Sequence, residues 1–101
     1  MIARLWHGRV PAAKADAYAA FLRVSGLADY RATPGNLAAY VLRREEGEVT
    51  HFVTLSLWDS RASIAAFAGD DIERAHYYPE DADYLLEFEP TVQHYEVDTA
   101  P

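Results

Sequence analysis

The sequence predicts an α+β domain in which one four-stranded antiparallel sheet carries its two helices on a single face. Three observations predict it. Stretches of strand-like patterning and stretches of helical spacing follow one another in the order β-α-β-β-α-β. That order, with short connections and the usual crossover handedness, favours the strand order 4-1-3-2, a ferredoxin-like sheet with the first and third strands in the middle. The third strand, from Val49 to Trp58, is apolar on both faces. Two helices cover only one side of such a sheet, so the other side calls for a second layer, and a second copy of the chain supplies it.

Residues 2–10 read as the first strand. Pro11 suits the first turn of a helix that runs to about Ala28. Ala17, Phe21, Val24 and Ala28 form its apolar stripe, widened by Tyr18, Leu22 and Ser25, while Lys14, Asp16 and Arg23 lie off it. Thr33-Pro34-Gly35 is a turn signal. Leu37 to Arg44 is the second strand, and residues 45–48, with Gly47, form a hairpin loop into the third. In that strand Val49, His51, Val53, Leu55 and Leu57 read as an ordinary core face, whereas Thr50, Phe52, Thr54, Ser56 and Trp58 mix bulky aromatics with small hydroxyls. Asp59 or Ser60 caps the second helix, Ile64 and Phe67 point inward from it, and Gly69 closes it. Asp70 and Asp71 start a short third helix through His76, which Tyr77-Tyr78-Pro79 ends. The acidic stretch after it suits one more helical turn, and Thr91 to Val97 is the last strand. Residues 1–97 make one domain and 98–101 a tail.

Composition excludes several classes. Sixteen acids stand against nine Lys and Arg, for a net charge of −7, which disfavours nucleic acid and anionic membranes. With no cysteine there is no disulfide, thiolate metal site or cysteine nucleophile. No secretory pattern and no apolar run of membrane-spanning length is visible, so a soluble, cytoplasmic protein is expected. No metal-ligand spacing, local carboxylate–histidine cluster, nucleophile elbow or phosphate loop occurs.

The chain resembles the antibiotic biosynthesis monooxygenase family, whose members are dimeric α+β barrels. The resemblance rests on Ile2-Ala3-Arg4-Leu5-Trp6-His7-Gly8, Thr33-Pro34-Gly35, the joint Leu57-Trp58-Asp59-Ser60, Ala66-Phe67-Ala68-Gly69 and the closing His94-Tyr95-Glu96-Val97. It implies a homodimer whose sheets pack face to face, and a pocket in each protomer between sheet and helices. It also implies oxidation of aromatic phenols to quinones by molecular oxygen, with no metal, flavin or haem. A second branch of these barrels degrades haem. Against it, His76 aligns with the iron-ligating histidine, Phe67 stands where the branch has tryptophan, and Trp6 or His7 falls near its asparagine. Haem is therefore the alternative cofactor.

On this reading the catalytic candidates are His76, as proton acceptor or substrate orienter, with His7 and His51 as further polar contacts. Trp6, Phe52, Trp58, Phe67, Tyr77 and Tyr78 are candidate walls for a small or polycyclic aromatic ligand. Arg4 lies inside a central strand, where its charge calls for a carboxylate or an anionic ligand; an ion pair with a late acidic residue is expected. The alternative to an enzyme is a non-catalytic barrel that binds a small molecule.

Overall fold

The computed structural model describes all 101 residues. Strand β1 (Ile2–Pro11) pairs along its whole length with β3 (Val49–Trp58). Strand β2 (Asn36–Glu46) flanks β3, and the short β4 (Gln93–Glu96) flanks β1. All pairings are antiparallel in the order β2-β3-β1-β4, which is the predicted 4-1-3-2 read from the other edge. The β2–β3 register is fixed by a two-residue turn with Glu46 opposite Val49; Gly47 sits there at φ 62°, where a side chain would be strained.

The register turns the two faces of β3 opposite to the expectation. Thr50, Phe52, Thr54, Ser56 and Trp58 are the buried set under the helices, while the all-apolar alternates and His51 are only half-buried. The hydroxyls are tolerable inside because most find partners: Trp58 Nε1 donates to Ser56 Oγ at 2.9 Å, and Thr54 Oγ1 meets the Tyr30 hydroxyl at 3.1 Å. They also leave room for the neighbouring rings. The other face is open. Leu5 faces Leu55 and His7 faces Val53 across it, while Tyr40 and Leu42 of β2 remain 50% and 47% exposed.

The single long helix predicted after Pro11 is three pieces: a 3₁₀ turn at Ala12–Lys14, α1 (Ala15–Val24) and α2 (Gly26–Ala32). Ser25 breaks it at φ −113°, ψ −97°, its hydroxyl donating to the Phe21 carbonyl at 2.7 Å. The buried stripe of α1 is Ala15, Tyr18, Ala19 and Leu22; Ala17 and Ala28 are exposed and Val24 is 77% exposed. The break redirects α2, so that Leu27 and Tyr30 pack with Trp58 and Ile64 in a second core. Helix α3 (Arg61–Ala68) starts on Ser60, whose Oγ accepts from Ser63 N at 3.2 Å, and ends at Gly69, φ 88°.

No third helix forms over residues 70–76. The segment instead makes tertiary hydrogen bonds. Val92 N donates to the Glu73 carbonyl at 2.8 Å and Ala75 N to the Pro90 carbonyl at 2.9 Å, with an isolated bridge between Arg74 and Thr91. The Arg4 guanidinium takes the carbonyls of Ile72 and Arg74 at 2.5 and 3.3 Å. These bonds satisfy groups that a helix would have paired internally. The acidic stretch does form a 3₁₀ helix, Pro79–Asp83, and the last strand is shorter than predicted. No helix is long and apolar enough to cross a membrane.

Candidate functional site

The helices, the irregular segment and the sheet enclose an aromatic pocket. Its floor is a cross-strand pair, Trp6 of β1 and Thr54 of β3. Gly8 makes that floor possible, because a Cβ there would lie 2.5 Å from the Trp6 ring. Tyr18 and Leu22 come from α1, Tyr30 from α2, Phe67 from α3, and His76, Tyr77 and Tyr78 from the segment that was expected to be helical. The pocket is partly open to solvent and narrow inside, with about 30 Å³ of interior space, room for a water and little else.

The walls hold one another. Trp6 Nε1 donates to the Tyr77 hydroxyl at 3.1 Å, and that hydroxyl donates to the Glu89 carbonyl at 2.6 Å. Phe67 lies 4.7 Å from Tyr30 and 5.3 Å from His76 between centroids; His76 in turn meets Tyr78 at 5.2 Å and 90°. Asp81 is almost wholly buried. It accepts from the Tyr18 hydroxyl at 2.9 Å and from Tyr78 N at 2.7 Å. The Tyr78 hydroxyl bonds to Asp29 on α2. Burial pushes the phenols of Tyr18, Tyr30, Tyr77 and Tyr78 above their ordinary range, and the carboxylates of Asp81 and Asp29 add to this at Tyr18 and Tyr78. All four are therefore un-ionised hydrogen-bond donors. The His76 ring is exposed and forms none of the side-chain hydrogen bonds, which leaves both nitrogens available to a ligand.

Of the residues singled out from sequence, the pocket brings together Trp6, Phe67, His76, Tyr77 and Tyr78. Phe52 and Trp58 lie on the same side of the sheet but are core, fully buried against Tyr18 and behind Phe67 respectively. His7 and His51 are on the opposite side, across the sheet from the pocket. There they form the carboxylate–histidine cluster that sequence spacing did not reveal, with Glu89 2.5 Å from His7 and Glu46 3.2 Å from His51. Tyr30 and Asp81 escaped the sequence reading, Tyr30 because it lies past the expected helix end and Asp81 because an acidic stretch reads as solvated surface.

Arg4 is 2% exposed and has no carboxylate partner, contrary to the expected ion pair. Besides the two carbonyls it meets His94 Nε2 at 3.0 Å and lies 5.9 Å from the Phe67 ring, while its own Nε is unpartnered. Burial, with the charges of Arg4 and Arg61, lowers His94 to about 4, so its Nε2 is the acceptor. The charge thus pins the segment that carries His76. No group of three or more His, Cys, Asp or Glu is placed to hold a metal.

No protein-family model and no curated protein sequence matches the chain. Solved structures resemble it over its length, among them the following three. A Nitrosomonas europaea protein assigned as an antibiotic biosynthesis monooxygenase superposes with a TM-score of 0.70 at 20% identity, over 98% of this chain and 100% of that one. A second antibiotic biosynthesis monooxygenase gives 0.65 at 17% identity, over 100% of both chains. A mutant of MhuD with two manganese protoporphyrin IX molecules bound per active site gives 0.67 at 19% identity, over 100% of this chain and 98% of that one. The fold is that of the antibiotic biosynthesis monooxygenases.

Proposed function

We propose that this chain, built on the antibiotic biosynthesis monooxygenase fold, oxidises a small phenol or hydroquinone with molecular oxygen and without a bound cofactor. The observation that carries the reading is the pocket between sheet and helices: flat rings from four elements, un-ionised hydroxyls, and one available imidazole. Offset or edge contacts with Trp6, Phe67 and Tyr77 favour a flat ligand by about 0.5–1.5 kcal/mol per pair beyond burial. His76 accepts the phenolic proton, and the resulting phenolate is electron-rich enough to reduce oxygen. One oxygen atom ends in the quinone and the other leaves as water. The ring enters when residues 70–78 draw back, and their return shields the reactive intermediate from solvent. Oxygen uptake over a panel of hydroquinones and phenols tests this. Turnover that falls at least about a hundredfold in His76→Ala supports a base at that position; no uptake above the variant's level ends the proposal. Thermal-shift screening of the same panel then separates a binder without chemistry, since a bound ligand raises the melting temperature without oxygen consumption.

Haem is the second reading, and the uncommitted His76 ring is what favours it. The lining does not fit the group: its only formally charged side chain is the Asp81 carboxylate, with no cation for propionates. A hemin titration with no Soret change dependent on His76 removes this reading.

The homodimer is part of the same proposal. Leu5, Leu42, Val53 and Leu55 form an apolar stripe across the open sheet face. A second copy, packed face to face, covers it. Light scattering that returns a monomer mass at micromolar concentration overturns the dimer.

A further inference from the structure

Four side chains on the open face of the sheet form an unbroken chain that the pocket chemistry does not use. Glu89 Oε2 lies 2.5 Å from His7 Nδ1, His7 Nε2 lies 2.9 Å from His51 Nδ1, and His51 Nε2 lies 3.2 Å from Glu46 Oε1. The two imidazoles are 5.2 Å apart between centroids with 28° between their planes, so their nitrogens meet nearly head on. Each of the three links needs one hydrogen. Carboxylates bring none, and a neutral imidazole brings one. Two neutral rings therefore leave one link without a hydrogen: either two ring lone pairs face each other, or a ring lone pair faces a carboxylate. Both arrangements repel.

We infer that the Glu89–His7–His51–Glu46 chain holds one proton more than two neutral histidines carry, and that this proton clamps the Leu86–Pro90 segment, and with it the Tyr77 wall of the pocket, to the sheet. Glu89 belongs to both sides of the linkage. Its carboxylate ends the chain, while its carbonyl accepts from the Tyr77 hydroxyl, which holds Trp6 Nε1. The segment is also tied to β1 through Leu86 N and the Arg9 carbonyl at 2.9 Å.

The surrounding charges favour the extra proton. From the C-terminal segment come Glu87 and Glu89, from β1 Arg9, and from β2 Arg44 and Glu46; Arg43 borders the same hollow but is paired with Asp16 and Glu45. The neighbouring β4 offers only Gln93 there. The three carboxylates Glu46, Glu87 and Glu89 exceed Arg9 and Arg44 by one charge, which a single imidazolium cancels. The sign follows. The extra proton turns the His7–Glu89 link from a neutral-donor hydrogen bond into a charge-assisted one, so the clamp is strongest with that proton bound and weakens, without breaking, when it leaves. None of this rests on the oxygenase reading.

Amide hydrogen exchange of residues 84–92 and 70–79, measured from about pH 5 to about pH 8, where imidazoles titrate, and corrected for the intrinsic rate, tests it. In the parent chain, protection of both segments should fall by about tenfold or more as pH rises, the scale of one charge-assisted hydrogen bond in an opening equilibrium. In His7→Asn the amide takes the place of Nδ1–H and donates to Glu89, so no titrating ring holds the segment, and its protection should no longer fall as pH rises. Flat protection in the parent, or an unchanged pH profile in His7→Asn, overturns the inference. The parent profile decides even if the variant fails to fold.

Discussion

Replacing Tyr18 with phenylalanine removes one oxygen from the middle of the molecule and leaves the ring in place. The ring is 1% exposed, wedged edge-on against Phe52 at 5.2 Å, and these contacts survive the change. What disappears is the donor 2.9 Å from Asp81 Oδ1. Asp81 is itself only 3% exposed and retains one further side-chain bond, from Tyr78 N. A buried hydrogen bond to a charged group contributes about 1.5–3 kcal/mol. In a domain of this size each kcal/mol moves the midpoint by about 4–8 °C, so melting should fall by about 6–24 °C. Urea unfolding followed by circular dichroism gives the free energy directly. Tyr84→Phe is the control: its ring stacks on Phe21 at 5.7 Å and its hydroxyl makes no hydrogen bond, so its loss should stay within about 0.5 kcal/mol. If Tyr18→Phe and Tyr84→Phe cost the same, the buried carboxylate is not held by Tyr18 and the account of the pocket walls is wrong.

Other outcomes follow from single features. The Thr50 hydroxyl is fully buried without a partner, so Thr50→Val should stabilise the chain by about 1–2 kcal/mol in urea unfolding. Leu42→Glu places a carboxylate on the open face next to Val53 and should convert a dimer to a monomer in light scattering, with unchanged circular dichroism. His94, lowered to about 4 in the folded chain against 6.5 when unperturbed, stays neutral while the unfolded chain takes up a proton. Stability should therefore fall as pH drops from about 6.5 towards about 4. His94→Gln should show a shallower fall over that interval when unfolding is followed at each pH.

Strand order and the two-sided sheet were legible because β-patterning is local and β3 displays both alternate sets in ten residues. Its faces came out reversed because a hydroxyl is a liability only when unpaired, and the partners of Ser56 and Thr54 are Trp58 and Tyr30, which sequence order does not bring together for Tyr30. The helix after Pro11 was read through Ser25 since serine is tolerated in helices; its bond to the Phe21 carbonyl is a conformational choice that composition does not disclose. The segment with His76 was read as helical from its acidic start, yet Arg4, 68 residues earlier than Ile72, takes the carbonyls. His7 and His51 are 44 residues apart and meet only through the β1–β3 register, in which Arg9 lies opposite His51. Aromatic walls were easier to find than polar ones: Trp6, Phe67, Tyr77 and Tyr78 converge as their types suggested, while buried Asp81 looks from sequence like any surface acid.

A pocket of about 30 Å³ makes affinity a property of the loop as much as of the lining. A ring-sized ligand sees only the open fraction of molecules, and its apparent dissociation constant is the intrinsic one divided by that fraction. If one molecule in about a hundred is open, binding is weakened about a hundredfold relative to a preformed cavity. The Tyr78–Asp29 bond sets part of that fraction. Tyr78→Phe should therefore bind a given phenol more tightly while unfolding more easily, so variants selected for heat resistance at this loop would be the poorer receptors.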